Sequence, residues 1–151
     1  MGLEDKLKIK IKKLNEKAII PEYAKMGDAG LDLVAVSKEL INCEGGEFIE
    51  YGTGLAIEIP KDHVGLIFPR SSISKVNMML TNKVGVVDSG YRGEIKIIIY
   101  NLSNKQFPIK HGDRIAQGKL SRVYKANFIE VIELDKTERG EGGFGSTGTG
   151  I

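Results

Sequence analysis

Three segments of the chain gather residue types suited to handling phosphate and water. In Gly85-Val-Val-Asp88-Ser89-Gly90-Tyr91-Arg92-Gly93-Glu94-Ile95, an aspartate ends an apolar run at a glycine-containing turn. A carboxylate oriented there by the backbone can take a proton from water, which is the task of a general base. In Pro69-Arg70-Ser71-Ser72-Ile73-Ser74, a guanidinium and adjacent hydroxyls follow the apolar stretch from Val64 to Phe68, a pattern that suits an anion at a strand end. From Arg139 to Gly150 the chain is half glycine, with the ring of Phe144 inside it and the hydroxyls of Ser146 and Thr147 after Gly145. Glycine amides can wrap anionic oxygens, Arg139 adds a charged fork, and a lone ring among small residues can stack on a planar heterocycle. Asp32, Asp113 and Gln117 are further polar candidates. Each feature also has an ordinary structural explanation: an aspartate bonded to its own turn, a capped helix start with a surface arginine, a flexible linker.

Several other chemistries are excluded by pattern. Neither His63 nor His111 stands in a Ser/His/Asp or Cys/His arrangement, and no GxxxxGK[ST] loop is present. Gly143-Phe-Gly145-Ser-Thr-Gly148 spells the dinucleotide fingerprint, but that motif needs a following helix whose N-terminus meets pyrophosphate, and the sequence stops at Ile151.

The elements that must position these groups read as strands. Leu7 to Ile11, Leu55 to Ile59, Glu94 to Tyr100 and Phe128 to Leu134 alternate apolar and polar residues with a period of two. Turn signals at Gly45-Gly46, Gly52, Pro60, Asp88-Ser89-Gly90 and His111-Gly112-Asp113 separate them. Many short strands with regular turns predict an all-β sandwich, barrel or jelly roll rather than a βαβ sheet. The one helical candidate is a short turn at Ser72 to Val76, with Ser71 or Ser72 as its N-cap.

A chain of 151 residues is sized for one domain, read here as 1–151, with residues 136–151 as a C-terminal tail that has no core of its own and orders on something else. Its longest apolar run, around Ile97 to Tyr100, is too short for a membrane span, and the start carries no signal pattern. A single Cys43 forms no internal disulfide, and with two distant histidines it builds no zinc site, so the expected compartment is the cytoplasm. Lys and Arg are interspersed with Asp and Glu at a net charge of +2, which offers no broad basic footprint for nucleic acid.

Taken together and in order, Ala29-Gly-Leu-Asp32-Leu33, Pro69-Arg-Ser-Ser72, Gly85 to Ile95, Gly112-Asp-Arg-Ile-Ala-Gln117 and Arg139 to Gly148 resemble the five motifs of the homotrimeric dUTPase family, across nearly the whole chain. The resemblance implies a jelly-roll-like β subunit, a homotrimer with active sites shared between subunits, and hydrolysis of dUTP to dUMP and pyrophosphate. That reaction limits uracil incorporation into DNA and supplies dUMP for dTMP synthesis. It further implies that Asp88 activates the water that attacks the α-phosphorus. Asn82 would bond uracil from the β-hairpin of Met78 to Val87, Tyr91 would pack under the deoxyribose and exclude a 2′-hydroxyl, and Phe144 would stack on the base. Arg70, Ser71, Ser72 and Gln117 would hold phosphate, joined by Arg139, Gly145, Ser146 and Thr147 from a closing tail. Mg²⁺ would be held mainly by the triphosphate, with Asp32 reaching it through water. Departures from the family pattern are Gly90 for a common Asp, Pro69 for a common Gly, and Thr81 beside Asn82. Two rivals share the fold: a dCTP deaminase, which calls for a glutamate near that hairpin, where residues 78–87 have none, and a non-catalytic nucleotide sensor.

Overall fold

The computed structural model describes residues 7–43, 46–102 and 109–143. Ten strands account for its regular structure: β1 (Lys10–Lys13), β2 (Leu31–Val34), β3 (Ser37–Cys43), β4 (Gly46–Gly52), β5 (Leu55–Glu58), β6 (His63–Phe68), β7 (Met78–Leu80), β8 (Gly85–Val87), β9 (Lys96–Asn101) and β10 (Arg114–Arg122). They form two four-stranded antiparallel sheets, ordered β2-β10-β6-β8 and β3-β4-β9-β7, and a two-stranded ribbon β1-β5. This is the all-β architecture expected from the alternation and turns, in the jelly-roll-like form that the family resemblance implies. No helix among the described residues is long and apolar enough to cross a membrane.

The core lies between the two larger sheets. Along β9 and the residue before it, Ile95, Ile97 and Ile99 are buried and pack with Ile49 and Tyr51 of β4, Leu33 of β2, Ile67 of β6 and Met78 and Leu80 of β7. Each buried isoleucine contributes about 1.5–3 kcal/mol by leaving water. The period-two reading of residues 94–100 is therefore the strand whose inner face builds the core.

Three expectations are corrected. Phe128 to Leu134 forms no strand; it runs without partners in irregular backbone, and Phe128 is 93% exposed. Alternation reports a surface that wants one buried face, and nothing within the described chain covers this one. The helical turn is a five-residue 3-10 segment, Ser71–Lys75, whose N-cap is the extended Arg70 with no side-chain capping bond, so neither Ser71 nor Ser72 caps it. Residues 78–87 are not a paired hairpin either: β7 joins β9 in one sheet and β8 joins β6 in the other. The connection crosses between layers, pinned by the Thr81 amide and hydroxyl donating to Ile98 O at 3.0 and 3.2 Å, and turned by Lys83 at φ 58°.

Candidate active site

A polar corner forms where β2, β10 and β6 lie side by side. The register pairs Gln117 with Asp32 on one side and with Phe68 on the other. Between Arg114 and Ala116 the β10–β2 register slips by one residue, a bulge. Its consequence is visible in burial: Ile115 and Ala116, neighbours in sequence, are both buried, at 5% and 0% exposure. Strict alternation would have put Ile115 on the face of Asp32; the bulge puts Arg114 there instead. Asp32 Oδ1 accepts from Arg70 Nε at 2.8 Å and Oδ2 from Arg114 Nη1 at 3.1 Å. The two pairs aim two guanidiniums, each with further N–H donors, into one space.

That space is a cavity of about 440 Å³ lined by Arg70, Ser71, Arg114, Gln117 and Asp32, with the acids Glu22 and Asp28 also on its wall. Gln117 Nε2 donates to Pro69 O at 3.0 Å, which ties β10 to the chain entering Arg70. A Cβ on Gly30 would come within 2.7 Å of Gln117 Oε1, so only glycine leaves that amide its place. Ser72 lines a neighbouring space with Arg70 and Arg114. Arg114 was not among the sequence candidates. Its signal was the broken alternation of Arg114-Ile-Ala-Gln117, two apolar residues between two polar ones, which is how a bulge reads in a strand.

A second cleft, about 220 Å³, opens beside β8 and holds Asn82, Gly85, Asp88, Tyr91 and Glu94. It is smaller than the roughly 300–1,000 Å³ of pockets that bury a drug-sized ligand, yet wide enough for part of one. Asp88 directly follows β8, exposed, and its carbonyl accepts from Tyr91 N at 3.0 Å. Arg92 Nη1 donates to Ser89 O at 2.8 Å and Tyr91 O at 2.9 Å, closing the turn on itself. Lys96, on the cleft wall, has its ammonium pKa held above the ordinary 10.5, first by its hydrogen bond to Glu50 and then by that carboxylate's charge, with Glu94 and Glu39 adding to it. Glu94 also lines this cleft and was passed over in the sequence.

The corner and the cleft do not converge around Asp88 within one chain. Gly65 pairs with Val87 and Ile67 with Gly85, so Asp88 lies past the Val64 end of β6, while Arg70 lies past the other end. Six residues of extended chain separate those ends, roughly 20 Å. Arg139 lines neither space: its Nε donates to Gly142 O at 2.8 Å, inside a turn where Gly140 N meets Thr137 Oγ1 at 3.1 Å. Phe144, Gly145, Ser146 and Thr147 lie outside the described residues.

An antiparallel jelly roll with an arginine-lined corner and a cleft walled by amide, phenol and carboxylate has the layout of a protein for anionic ligands that carry a ring. The comparisons make this specific. A family model described as dUTPase matches residues 16–148, and the chain belongs to the dUTPase family of hydrolases. The deoxyuridine 5'-triphosphate nucleotidohydrolase of Helicobacter pylori (strain ATCC 700392 / 26695) is 44% identical over 143 residues, covering 94% of this chain and 97% of the relative. The protein of the same name from Nautilia profundicola is 48% identical over 143 residues, covering 94% and 99%. Among solved structures, a point mutant of the phage 80alpha dUTPase superposes with a TM-score of 0.79 at 28% identity, over 92% of this chain and 98% of that one. Another mutant of the Staphylococcus bacteriophage 80alpha dUTPase, with dUpNHpp, gives 0.77 at 26%, over 94% and 99%.

Proposed function

We propose that this protein hydrolyses dUTP to dUMP and pyrophosphate as a Mg²⁺-dependent homotrimer whose sites are shared between subunits. The observation that carries the reading is the placement of Asp88, Asn82 and Tyr91 in one cleft of a dUTPase-family chain. Asp88 takes the proton from a water whose oxygen attacks the α-phosphorus; the bond to the bridging oxygen breaks and pyrophosphate leaves. Asn82 bonds the uracil edge, and Tyr91 stands under the deoxyribose. Arg70, Ser71, Ser72 and Gln117, with Arg114 added, bind phosphate oxygens from the polar corner.

By the register of β6 and β8, Asp88 lies roughly 20 Å along the sheet from Arg70, so a triphosphate that meets both Asp88 and the corner takes them from two copies. The uncovered apolar side chains of Tyr124, Phe128, Ile129 and Ile132 support self-association. Residues 136–151 act as the lid of a single domain, with Arg139, Gly145, Ser146 and Thr147 on the β and γ phosphates and Phe144 on the base.

Among the described residues no cluster of three or more His, Cys, Asp or Glu could hold a metal ion. Mg²⁺ bound through the triphosphate supplies charge neutralisation. Asp32, whose oxygens already serve Arg70 and Arg114, works chiefly by orienting those arginines, and any contact with metal-bound water is secondary.

A dCTP deaminase reading needs a glutamate at work beside the base. Glu94 is the glutamate that lines the cleft, and its Oε1 accepts from Gly54 N at 2.8 Å, a structural engagement that favours the hydrolase. A non-catalytic sensor needs neither Asp88 nor the tail, and both are present. Incubation with Mg²⁺ and dUTP, dCTP, dTTP or UTP, followed by chromatography with and without EDTA, decides between them. Only dUTP should yield a monophosphate and pyrophosphate, and EDTA should stop it; deamination of dCTP, or binding of dUTP without cleavage, refutes the proposal.

A further inference from the structure

Tyr91 is 45% exposed on a loop, where a ring would ordinarily move among rotamers. A wall that excludes one hydroxyl by contact must not yield, because a shift of about an ångström at a reacting geometry is enough to change its outcome severely. Two features hold this ring. Tyr91 Oη donates to Glu94 O at 2.9 Å, and the ring lies so close over Gly93 that a Cβ there would come within 2.5 Å of the hydroxyl oxygen and 2.6 Å of Cζ.

The carbonyl that receives the phenol is itself clamped. Glu94 Oε1 accepts from Gly54 N at 2.8 Å, and the next residue is tied to the same bend on both sides: Ile95 N donates to Leu55 O at 2.8 Å, while Ile95 O accepts from Thr53 N at 3.2 Å and Thr53 Oγ1 at 2.7 Å. Thr53 is fully buried. Gly54 sits at φ +66°, packed so tightly that a Cβ would lie 2.9 Å from Asn15 Cβ and 3.0 Å from both Ala18 Cβ and Val36 Cγ2. The direction of its amide is thus set by the interior of the sandwich.

We propose that Glu94 is a positioning residue that sets the selectivity for deoxyribose over ribose, transmitting the rigidity of the Thr53–Leu55 bend to the Tyr91 ring. The inference rests on the dUTP-hydrolysing reading above. Removing the carboxylate leaves the part-buried Gly54 amide without its acceptor and takes away the clamp made by Glu94 itself, loosening the carbonyl that anchors the phenol while the Ile95 bonds remain.

The test is kcat and KM for dUTP and for UTP, with Mg²⁺, in wild-type protein and in Glu94→Ala, Glu94→Gln and Tyr91→Phe variants of confirmed cooperative melting. Steric rejection of an added hydroxyl is worth up to about a hundredfold, so Glu94→Ala should lower the dUTP-to-UTP ratio of kcat/KM by about tenfold, chiefly through the KM for UTP. Glu94→Gln, which keeps an oxygen acceptor, should restore the ratio; Tyr91→Phe should lower it as Glu94→Ala does, with little added by combining the two. If Glu94→Ala does not fold, Glu94→Asp, which draws the carboxylate back by one methylene, should show the same loss. Parallel losses on both nucleotides with the ratio unchanged would overturn the positioning role alone, whereas wild-type protein without dUTP turnover would overturn both readings.

Discussion

At the scale of the residue, Asp88 and Asp32 divide the work that two carboxylates can do. Asp88 is exposed at the mouth of the cleft, and its proposed task exists only during proton transfer. Asp88→Asn should therefore leave dUTP affinity, read by calorimetry, nearly unchanged and reduce pyrophosphate release by about 10²–10⁴-fold, the usual worth of general-base catalysis. Asp32 is bound on both oxygens by arginines. Asp32→Asn should raise the KM for dUTP several-fold by loosening Arg70 and Arg114, while the Mg²⁺ concentration for half-maximal rate stays fixed. A shift in that metal titration instead would assign Asp32 to the metal's water shell.

At the scale of the element, the bulge in β10 matters more to the corner than any one side chain, since it decides whether Arg114 or Ile115 faces Asp32. The segments from Phe128 onward present the opposite case, as they have sequence signals but no strand partner in the described chain. A chain ending at Glu138 should keep its melting temperature and oligomeric state and lose at least a hundredfold in dUTP turnover, because the proposed lid would contribute to the closed site and not to the core. Phe128→Asp tests the segment before it. At a truly solvated position such a change costs within about 0.5 kcal/mol, so a marked fall in melting temperature together with a smaller particle in light scattering would mean that another copy buries this ring.

At the scale of the whole molecule, the roughly 20 Å that β6 places between Arg70 and the level of Asp88 supports the proposal that two chains build each site. Light scattering should give the mass of three chains. Mixing inactive Asp88→Asn with inactive Arg70→Ala under conditions that exchange subunits should restore part of the activity, because some sites then take their intact cleft from one chain and their intact corner from another. Two variants that stay inactive on exchange would mean that each site is built within one chain.

The sequence alone determined the fold class and the chemical inventory. Alternation in residues 94–100 marks a sheet that buries every second side chain, since a strand's faces alternate whatever its partners are. The segments at Arg70, Asp88 and Arg139 announce candidate groups, because phosphate and water chemistry call for those residue types beside turns and glycines. Only the tertiary structure decided pairing. Residues 78–87 read as one hairpin but serve two sheets, because hydrogen-bond partners are chosen by the layers that close the core and not by proximity along the chain. The same holds for Arg114, brought to Asp32 by a bulge, and for Glu94, whose carboxylate meets a glycine amide forty positions away. Such contacts depend on register between distant segments, a quantity that local periodicity does not carry.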